Sequence, residues 1–312
     1  MRNILLLPVV LIFLSSCKTR PNSSRDNDAF DPNKMYKLQL NPAAGSSYYY
    51  DITNESEMEV EVGDKKTGNE TKTSTGLVFK INKDSTGDLL FTMQYDKLHF
   101  YSKTGDTKTD VDAANAATSI DPVEKTLGMV KNTSLLATIS PTGEIKNISG
   151  YKELGDKIIA GFAPADVSGK ATAQLQWEKQ VGNGMIKNNM YQLFKIFPDS
   201  MVHLRDSWKL ASRQEGEVSL VVKSTFTLKA INNDIAIISV TGNITSDNED
   251  SENSHVTTDL QGEQEGEFQM ETKTGMLMNC NMKATINGTI KVMGSDVPVT
   301  IKTKLKMNGH KL

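Results

Sequence analysis

The chain has 312 residues, of which 38% are apolar, 23% are charged and only 6% are aromatic. Its 35 basic and 38 acidic residues give a formal net charge of -3. That balance argues against a strongly basic nucleic-acid-binding protein and against a highly charged disordered chain. Two cysteines and four histidines leave little for a metal cluster or a disulfide scaffold. We therefore expect a globular protein with no metal, no cofactor and no nucleic-acid partner.

The N-terminus predicts an exported, lipid-anchored protein. Arg2 supplies a positive charge, and residues 4–14 form an unbroken apolar run. The run is shorter than the ~20 residues that span a bilayer, and it fits the hydrophobic region of a secretory signal. The stretch Leu14-Ser15-Ser16-Cys17 resembles the bacterial lipobox, in which a diacylglyceryl group is attached to the cysteine and a peptidase cuts before it. The alternative is an ordinary signal peptide with an incidental cysteine.

The residues that follow the lipobox indicate how the protein is held. After a signal peptide over 1–16, residues 17–34 read as a lipidated cysteine and a flexible polar tether. Position 18 is Lys, so the inner-membrane retention signal is missing and the outer membrane is favoured. The first acidic residue is Asp26, which makes the signal for surface export weak and favours the periplasmic face over the cell surface. No later segment has the ~20 consecutive apolar residues of a membrane span.

Residues 35–312 predict a single folded domain in which most of the pattern has period two, as in half-buried strands. One sheet region covers 35–110 and a second covers 205–309. In the last strand, apolar residues share one face and Lys302, Lys304 and Lys306 share the other. A row of lysines suits an edge strand, because it discourages pairing with other chains.

Between the two sheet regions, residues 119–198 predict a helical middle that contains a hairpin over 134–149. Asp121-Pro122 is a good helix start, and residues 151–162 predict a short helix. Two more helices are expected over 168–181 and 185–197. The fold class predicted is therefore α+β, with two curved antiparallel sheet regions and segregated helices. Similar strand openings after Gly45 and Asp206 suggest an internal repeat, although coincidental patterning explains them nearly as well.

Several motifs together resemble an uncharacterised family of Bacteroidota lipoproteins, domain of unknown function 6263. The similarity includes the lipobox cysteine and the segment Tyr36-Lys37-Leu38 that leads into a glycine-tyrosine strand. It also includes the hairpin 139–145, the stretch from Phe197 to Trp208 and the strand pair around Thr274-Gly275. This chain has Arg205 where a glycine is expected. The resemblance implies a fold and an envelope location, but no activity, substrate or catalytic residue.

The sequence contains no recognisable catalytic or metal-binding signature. There is no HExxH and no GxSxG. The four histidines are scattered, and Cys280 lies in an alternating apolar pattern that favours a buried strand cysteine over a nucleophile. The acidic residues of 247–252 lack the spacing of a calcium loop, so a solvated loop is the simpler interpretation.

One feature supports a functional hypothesis. The expected inward faces are rich in methionine, which is flexible and common on adaptable binding surfaces. The candidate ligand-facing residues are Met58, Met93, Met270, Met276, Met278 and Met282. We expect a non-enzymatic lipoprotein that binds an apolar ligand, such as a lipid, or an envelope protein partner. A scaffold subunit of an outer-membrane complex and an unrecognised hydrolase are the alternatives, and simple core filling also accounts for the methionines.

Overall fold

A computed structural model describes residues 33–63, 65–162, 190–191, 193–214, 218–247, 256–292 and 295–312. These residues build a 12-stranded antiparallel sheet. The strands are β1 (Ser46–Val62), β2 (Lys65–Lys83), β3 (Leu89–Thr104), β4 (Thr107–Asp112), β5 (Ser134–Ile139), β6 (Ile145–Ser149), β7 (Ser207–Gln214), β8 (Leu220–Asn232), β9 (Ile235–Ser246), β10 (Val256–Glu271), β11 (Leu277–Val292) and β12 (Ser295–Lys311).

The predicted α+β class with two sheet regions is wrong. The strand order β6-β5-β3-β2-β1-β12-β11-β10-β9-β8-β7 makes one continuous sheet, with β4 paired to β3. The two expected regions are fused by the pairing of β1 with β12, for example Tyr50 opposite Gly309 and Met58 opposite Ile301. The fusion has a physical reason: each region alone would leave a strand of 17 residues with an unpaired edge, and pairing the two removes both edges.

The predicted helical middle is wrong as well. Within the described residues, the long helices are α1 (Pro122–Lys131) and α2 (Tyr151–Phe162), and the hairpin β5–β6 lies between them as part of the sheet. The start of α1 was predicted correctly, because Asp121 Oδ1 accepts from the backbone N–H of Val123 at 2.6 Å. A short helical segment covers 190–191 and 193–194, whereas the helix expected over 168–181 lies outside the described residues. No described helix has the length and apolar character that a membrane crossing needs.

The lysine row of β12 does not mark an edge. β12 lies in the middle of the sheet between β1 and β11, and Lys304 and Lys302 stand opposite Glu55 and Glu57 of β1. Opposite charges on directly paired strand positions stabilise the pairing. Lys72 donates a hydrogen bond to Glu55, and Lys304 and Lys306 lie nearby. Together these positive charges hold the pKa of Glu55 below its usual range. The row is therefore one half of a charge-matched outer face.

The sheet is strongly curved around its apolar face. The turns β5–β6 and β10–β11 are six strand spacings apart in the sheet order, a distance of about 29 Å along a sheet with strands ~4.8 Å apart. Nevertheless the adjacent residues Leu40 and Asn41 donate backbone hydrogen bonds to Pro141 and Thr274 of those two turns, at 2.8 and 2.7 Å. We call the enclosed apolar side the inner face and the charged opposite side the outer face.

Two apolar clusters lie on the inner face. The first is the larger and combines residues from both halves of the sheet with Leu38, Leu40, Phe194 and Phe197 of the segments that cross over it. The second occupies the other end of the strands and contains Leu220, Val222, Ile244, Leu260, Ala284, Ile286, Val299 and Ile301. The two clusters define where an inner-face site could lie.

Candidate functional site

The six candidate methionines do not form one continuous ligand surface. Met93, Met270, Met276 and Met282 are buried in the first apolar cluster. Met58 is half-buried and packs against the second cluster, and Met278 is half-buried and belongs to neither cluster. Four of the six therefore fill the core. Met282 also borders a cleft, so it is the methionine that the structure brings to a candidate site.

That cleft lies on the inner face between strands β7–β11 and the residues Tyr191, Lys195 and Ile196. Its wall is mainly apolar and includes Tyr191, Ile196, Leu210, Phe226, Phe268 and Met282. The cleft holds about 50 Å³, which is far below the roughly 300–1,000 Å³ of a typical small-molecule site. In this conformation it is a narrow cleft and not an open carrier cavity.

Trp208 fixes the segment that narrows the cleft. Its indole Nε1 donates to the carbonyl oxygen of Ile196 at 2.9 Å. Its ring stacks on Phe226 with 5.8 Å between the ring centroids. The turn before it contains Arg205 at φ 75°, which is the left-handed conformation that a glycine would adopt there. The turn thus has the expected shape in spite of the unexpected residue.

The floor of the cleft is polar. Ser224 of β8 and Gln264 of β10 are both buried, and Gln264 Nε2 donates to Ser224 Oγ at 2.8 Å. Gly242 of β9 lies between them, opposite both residues. A Cβ at Gly242 would lie 3.0 Å from Gln264 Nε2, so the missing side chain makes room for the hydrogen-bonded pair.

The Ser224–Gln264 pair belongs to a longer feature that crosses the inner face at right angles to the strands. Successive paired positions carry only small or polar side chains on eight neighbouring strands. We call this set the polar row: Ser224, Gly242, Gln264, Ala284, Thr303, Ser56, Thr71 and Ser102. On one side lies the row with Phe226, Met282 and Leu305, and on the other the row with Val222, Ile244 and Ile301. Apart from Ala284, which belongs to the second cluster, the polar row therefore lies between the two apolar clusters.

Two buried polar side chains in this region lack hydrogen bonds. Thr303 belongs to the polar row and is 2% exposed, and Asn54, two residues along β1 from Ser56, is 3% exposed. Within the part of the chain that the structure describes, neither Thr303 Oγ1 nor the Asn54 Nδ2 and Oδ1 atoms find a partner. An unsatisfied buried polar group destabilises a fold by about 1–3 kcal/mol. Such groups are rare in folded proteins, and each one suggests an unseen partner such as a water or ligand.

The sequence analysis did not find the polar row. In the sequence, the row shows only as polar or small residues that interrupt the apolar alternation of a strand, at positions where the pattern would place an apolar residue. Examples are Thr303 between Ile301 and Leu305, and Ser224 between Val222 and Phe226. Each interruption alone is unremarkable. Only the strand register places them side by side.

The glycine turns of the family resemblance have a structural role. Gly143 and Gly275 adopt φ of 81° and 69°. A Cβ on Gly143 would collide with the carbonyl oxygen of Phe194, and a Cβ on Gly275 would collide with that of Gln39. These turns therefore let the segments 38–41 and 194–197 close over the inner face, which explains the motifs without any catalytic role.

The outer face offers larger but charged and open depressions. One of about 730 Å³ near the β1–β2 hairpin is lined by residues that include Glu57, Glu59, Lys66 and Lys302. Lys66 Nζ already pairs with Glu59 at 2.6 Å. Opposite charges thus neutralise each other on this face.

The structure places two of the scattered histidines in surface pairs with aspartates. His99 pairs with Asp110 at 2.8 Å and His203 with Asp206 at 3.1 Å, both at the surface. No group of three or more potential ligand side chains is placed to hold a metal ion in the described ranges. Cys280 is buried, as predicted, and burial raises the pKa of its thiol well above the usual value.

Several predicted features lie outside the described residues. These are the signal peptide and the lipobox residues Leu14, Ser15, Ser16 and Cys17, the tether up to residue 32, and most of the acidic loop at 248–255. They stay predictions.

Comparison with known proteins gives a family but no activity. A family model described as a family of unknown function (DUF6263) matches residues 86–277. No curated protein matches the chain significantly. A solved structure titled "Lipid-protein interactions in lipovitellin" is 9% identical with a TM-score of 0.48, over 86% of this chain but only 25% of that chain. An outer membrane channel from Pseudomonas putida F1 is 8% identical with a TM-score of 0.25, over 90% of this chain and 100% of that chain.

Neither structural likeness carries an argument about function, because both TM-scores are low. The family match, in contrast, covers more than half of the chain and includes the turns whose glycines close the inner face. This chain therefore belongs to the DUF6263 family of unknown function.

Proposed function

We propose that this protein binds an amphipathic small molecule on the inner face of its sheet, without chemically changing it. The observation that carries the proposal is the cleft in which an apolar wall meets a buried polar floor. Phe226, Phe268 and Met282 offer apolar and polarizable surface, and the Ser224–Gln264 pair offers hydrogen bonds. A mostly apolar pocket with a few well-placed polar groups is the usual composition of a small-molecule site.

Binding requires the cleft to open, because its volume of about 50 Å³ is too small for a ligand. Tyr191 and Leu210 are the lining side chains placed to move, since both are half-buried. Ile196 stays in place, because it is buried, accepts from Trp208 and donates its backbone N–H to the carbonyl oxygen of Phe194. Met282 is unbranched and adapts its shape easily. Ligand binding is thus coupled to movement of Tyr191, Leu210 and Met282.

The proposed setting is the bacterial envelope. We infer from the lipobox that Cys17 carries the lipid anchor, and from Lys18 that the protein is sent to the outer membrane, on its periplasmic face. Two or three acyl chains anchor a protein firmly, since each buried methylene contributes about 0.8 kcal/mol. A tether of about 15 residues would let the domain reach lipids or lipid-like molecules near the membrane.

The two alternatives have less support. A scaffold subunit would be expected to show a broad exposed apolar patch. Among the described residues, Met35 and Met201 flank the backbone bridge between Tyr36 and Val202 and are each about half exposed, which makes a small apolar surface. A hydrolase would need converging polar groups in a cleft, and the cleft floor in the described residues contains an amide and a hydroxyl without a base.

The proposal is tested with protein beginning at Lys18, a form that keeps every residue that the structure describes. It is purified from a Gram-negative periplasm, and bound small molecules are measured by native mass spectrometry and identified after extraction. We expect a stoichiometric amphipathic adduct. Leu210→Trp, which fills the cleft from β7, should abolish the adduct, and Lys209→Trp on the outer face of the same strand should not. A clean apo mass for the wild-type protein, also after incubation with envelope lipids, would refute the proposal.

A further inference from the structure

We propose that the polar head of the bound ligand lies at Asn54 and Thr303, and that this head is uncharged and both donates and accepts hydrogen bonds. A primary carboxamide or a hydroxyl has this chemistry. The inference rests on the proposed function, because it names the class of molecule that the inner face takes. It is carried by buried polar groups that the fold itself leaves without partners.

Asn54 and Thr303 are neighbours across the β1–β12 pairing. Thr303 is directly opposite Ser56, and Asn54 is directly opposite Leu305, so the two side chains are diagonal to each other on the inner face. Diagonal neighbours on paired strands lie ~7–8 Å apart at their Cα atoms. One small polar group placed between them can therefore reach both.

The polar atoms of Asn54 and Thr303 that have no hydrogen-bond partner among the described residues determine which head group would fit them. The Asn54 amide has a free carbonyl acceptor and a free NH₂ donor among its described surroundings, and the Thr303 hydroxyl can do either. A head group with both a donor and an acceptor satisfies all of these atoms together. A head group that only accepts or only donates leaves some of them unpaired.

Charge is excluded by the composition of the polar row. None of its eight positions carries an ionisable side chain, and the lysines and glutamates of β1 and β12 alternate onto the outer face. A carboxylate or ammonium between Asn54 and Thr303 would be buried without an opposite charge, which is strongly unfavourable. The ligand class is therefore neutral and amphipathic, and not a fatty-acid anion or an alkylamine.

The path from this position to the cleft is lined by small residues. Ala284 lies beside Thr303, Gly266 stands opposite Met282, and Gly242 lies beyond Gln264, which is the one long side chain of the row along this path. The distance from β12 to Phe226 on β8 is four strand spacings, about 19 Å along the sheet. A ligand with its head at Thr303 would lay its apolar chain past Met282 towards the aromatic wall of the cleft.

The test compares four ligands that share a ten-carbon chain: decanamide, decanol, decanoate and decylamine. Binding to the form beginning at Lys18 is measured by isothermal titration calorimetry. We expect decanamide and decanol to bind at least tenfold more tightly than decanoate and decylamine. Asn54→Leu and Thr303→Val should each weaken decanamide binding about tenfold and leave decanoate unchanged. Thr241→Val on the outer face serves as the matched control and should change nothing.

The outcomes separate the two proposals. If all four ligands bind equally, or if the charged ones bind best, the head-group inference is overturned while ligand binding stands. If the neutral ligands bind best but Asn54→Leu and Thr303→Val bind them as the wild type does, the head lies elsewhere and the inference is also overturned. If none of the four binds although the purified protein carries an amphipathic adduct, the head-group inference is overturned and the proposed function stands; if the adduct is missing as well, both fail. Circular dichroism of each variant confirms that the comparison is made on folded protein.

Discussion

Replacing Asn54 by leucine is expected to stabilise the unliganded protein. The Asn54 amide is almost fully buried, and both its polar atoms lack partners among the described residues. An unsatisfied buried group is unfavourable by about 1–3 kcal/mol, and leucine has the same branched skeleton without polar atoms. We therefore expect Asn54→Leu to raise the free energy of unfolding by about 1–3 kcal/mol.

The matched comparison is Gln264→Leu on the same face. Its amide is equally buried but is satisfied by the 2.8 Å hydrogen bond to Ser224. Its removal leaves the Ser224 hydroxyl without this partner, so Gln264→Leu should lower the free energy of unfolding by about 1–3 kcal/mol. The two variants are thus expected to differ in sign, because one amide is hydrogen-bonded and the other is not.

The assay is equilibrium unfolding in urea, followed by tryptophan fluorescence and by circular dichroism to check that the transition is two-state. A change of 1 kcal/mol corresponds to a shift of roughly 2–4 °C in Tm for a chain of 150–250 residues, so thermal unfolding resolves it too. If Asn54→Leu destabilises the protein as much as Gln264→Leu, the Asn54 amide is paired in solution. The reasoning behind the head-group site would then be refuted.

Three further outcomes follow from the described residues. Gly143→Ala should destabilise the fold by more than about 1 kcal/mol, as measured by urea unfolding. The reason is that the positive φ of Gly143 and the nearby carbonyl oxygen of Phe194 leave no space for a Cβ. A variant as stable as the wild type would contradict this. Cys280 should resist iodoacetamide in native protein and react fully in urea, since burial raises its pKa; rapid native labelling would show the strand to be open. The pKa of Asp206 lies below its usual 3.8, because the carboxylate accepts hydrogen bonds from the backbone N–H of His203 and then from its side chain. The ionised carboxylate therefore stabilises the fold above pH 3.8. This stabilisation is lost as the pH falls through the lowered pKa. Asp206→Asn should therefore reduce stability at pH 7 and flatten its dependence on pH below 4, as unfolding curves at several pH values would show.

Local features of the fold were predictable because they depend on neighbouring residues. Asp121 caps α1, Asn233 and Asp234 adopt the positive φ of a tight hairpin turn, and Cys280 lies buried in a strand. Each rests on backbone or burial preferences that act over a few positions. The methionine hypothesis was weaker, since period two indicates the buried face of a strand but does not distinguish a packed core from a binding surface.

The joining of the sheet was not predictable from local patterns. β1 and β12 are the first and last strands, and nothing in either sequence alone indicates the other as its partner. The lysines of β12 suggested an edge because their partners, the glutamates of β1, are about 250 residues away in sequence. The hairpin expected over 134–149 was likewise placed in a separate helical middle, whereas its strands β5 and β6 extend the sheet beyond β3.

By itself, the sequence determined most of the strands, the tight turns and the cap of α1, because each of these depends on short-range chemistry. It also contained every interruption of the apolar alternation, from Ser224 to Ser102. Only the tertiary structure decided that these interruptions form one row, since a side chain's neighbours across a sheet are set by strand register and not by sequence distance. The candidate site is therefore a property of the pairing: eight unremarkable residues become one row of small and polar side chains once eight strands align them.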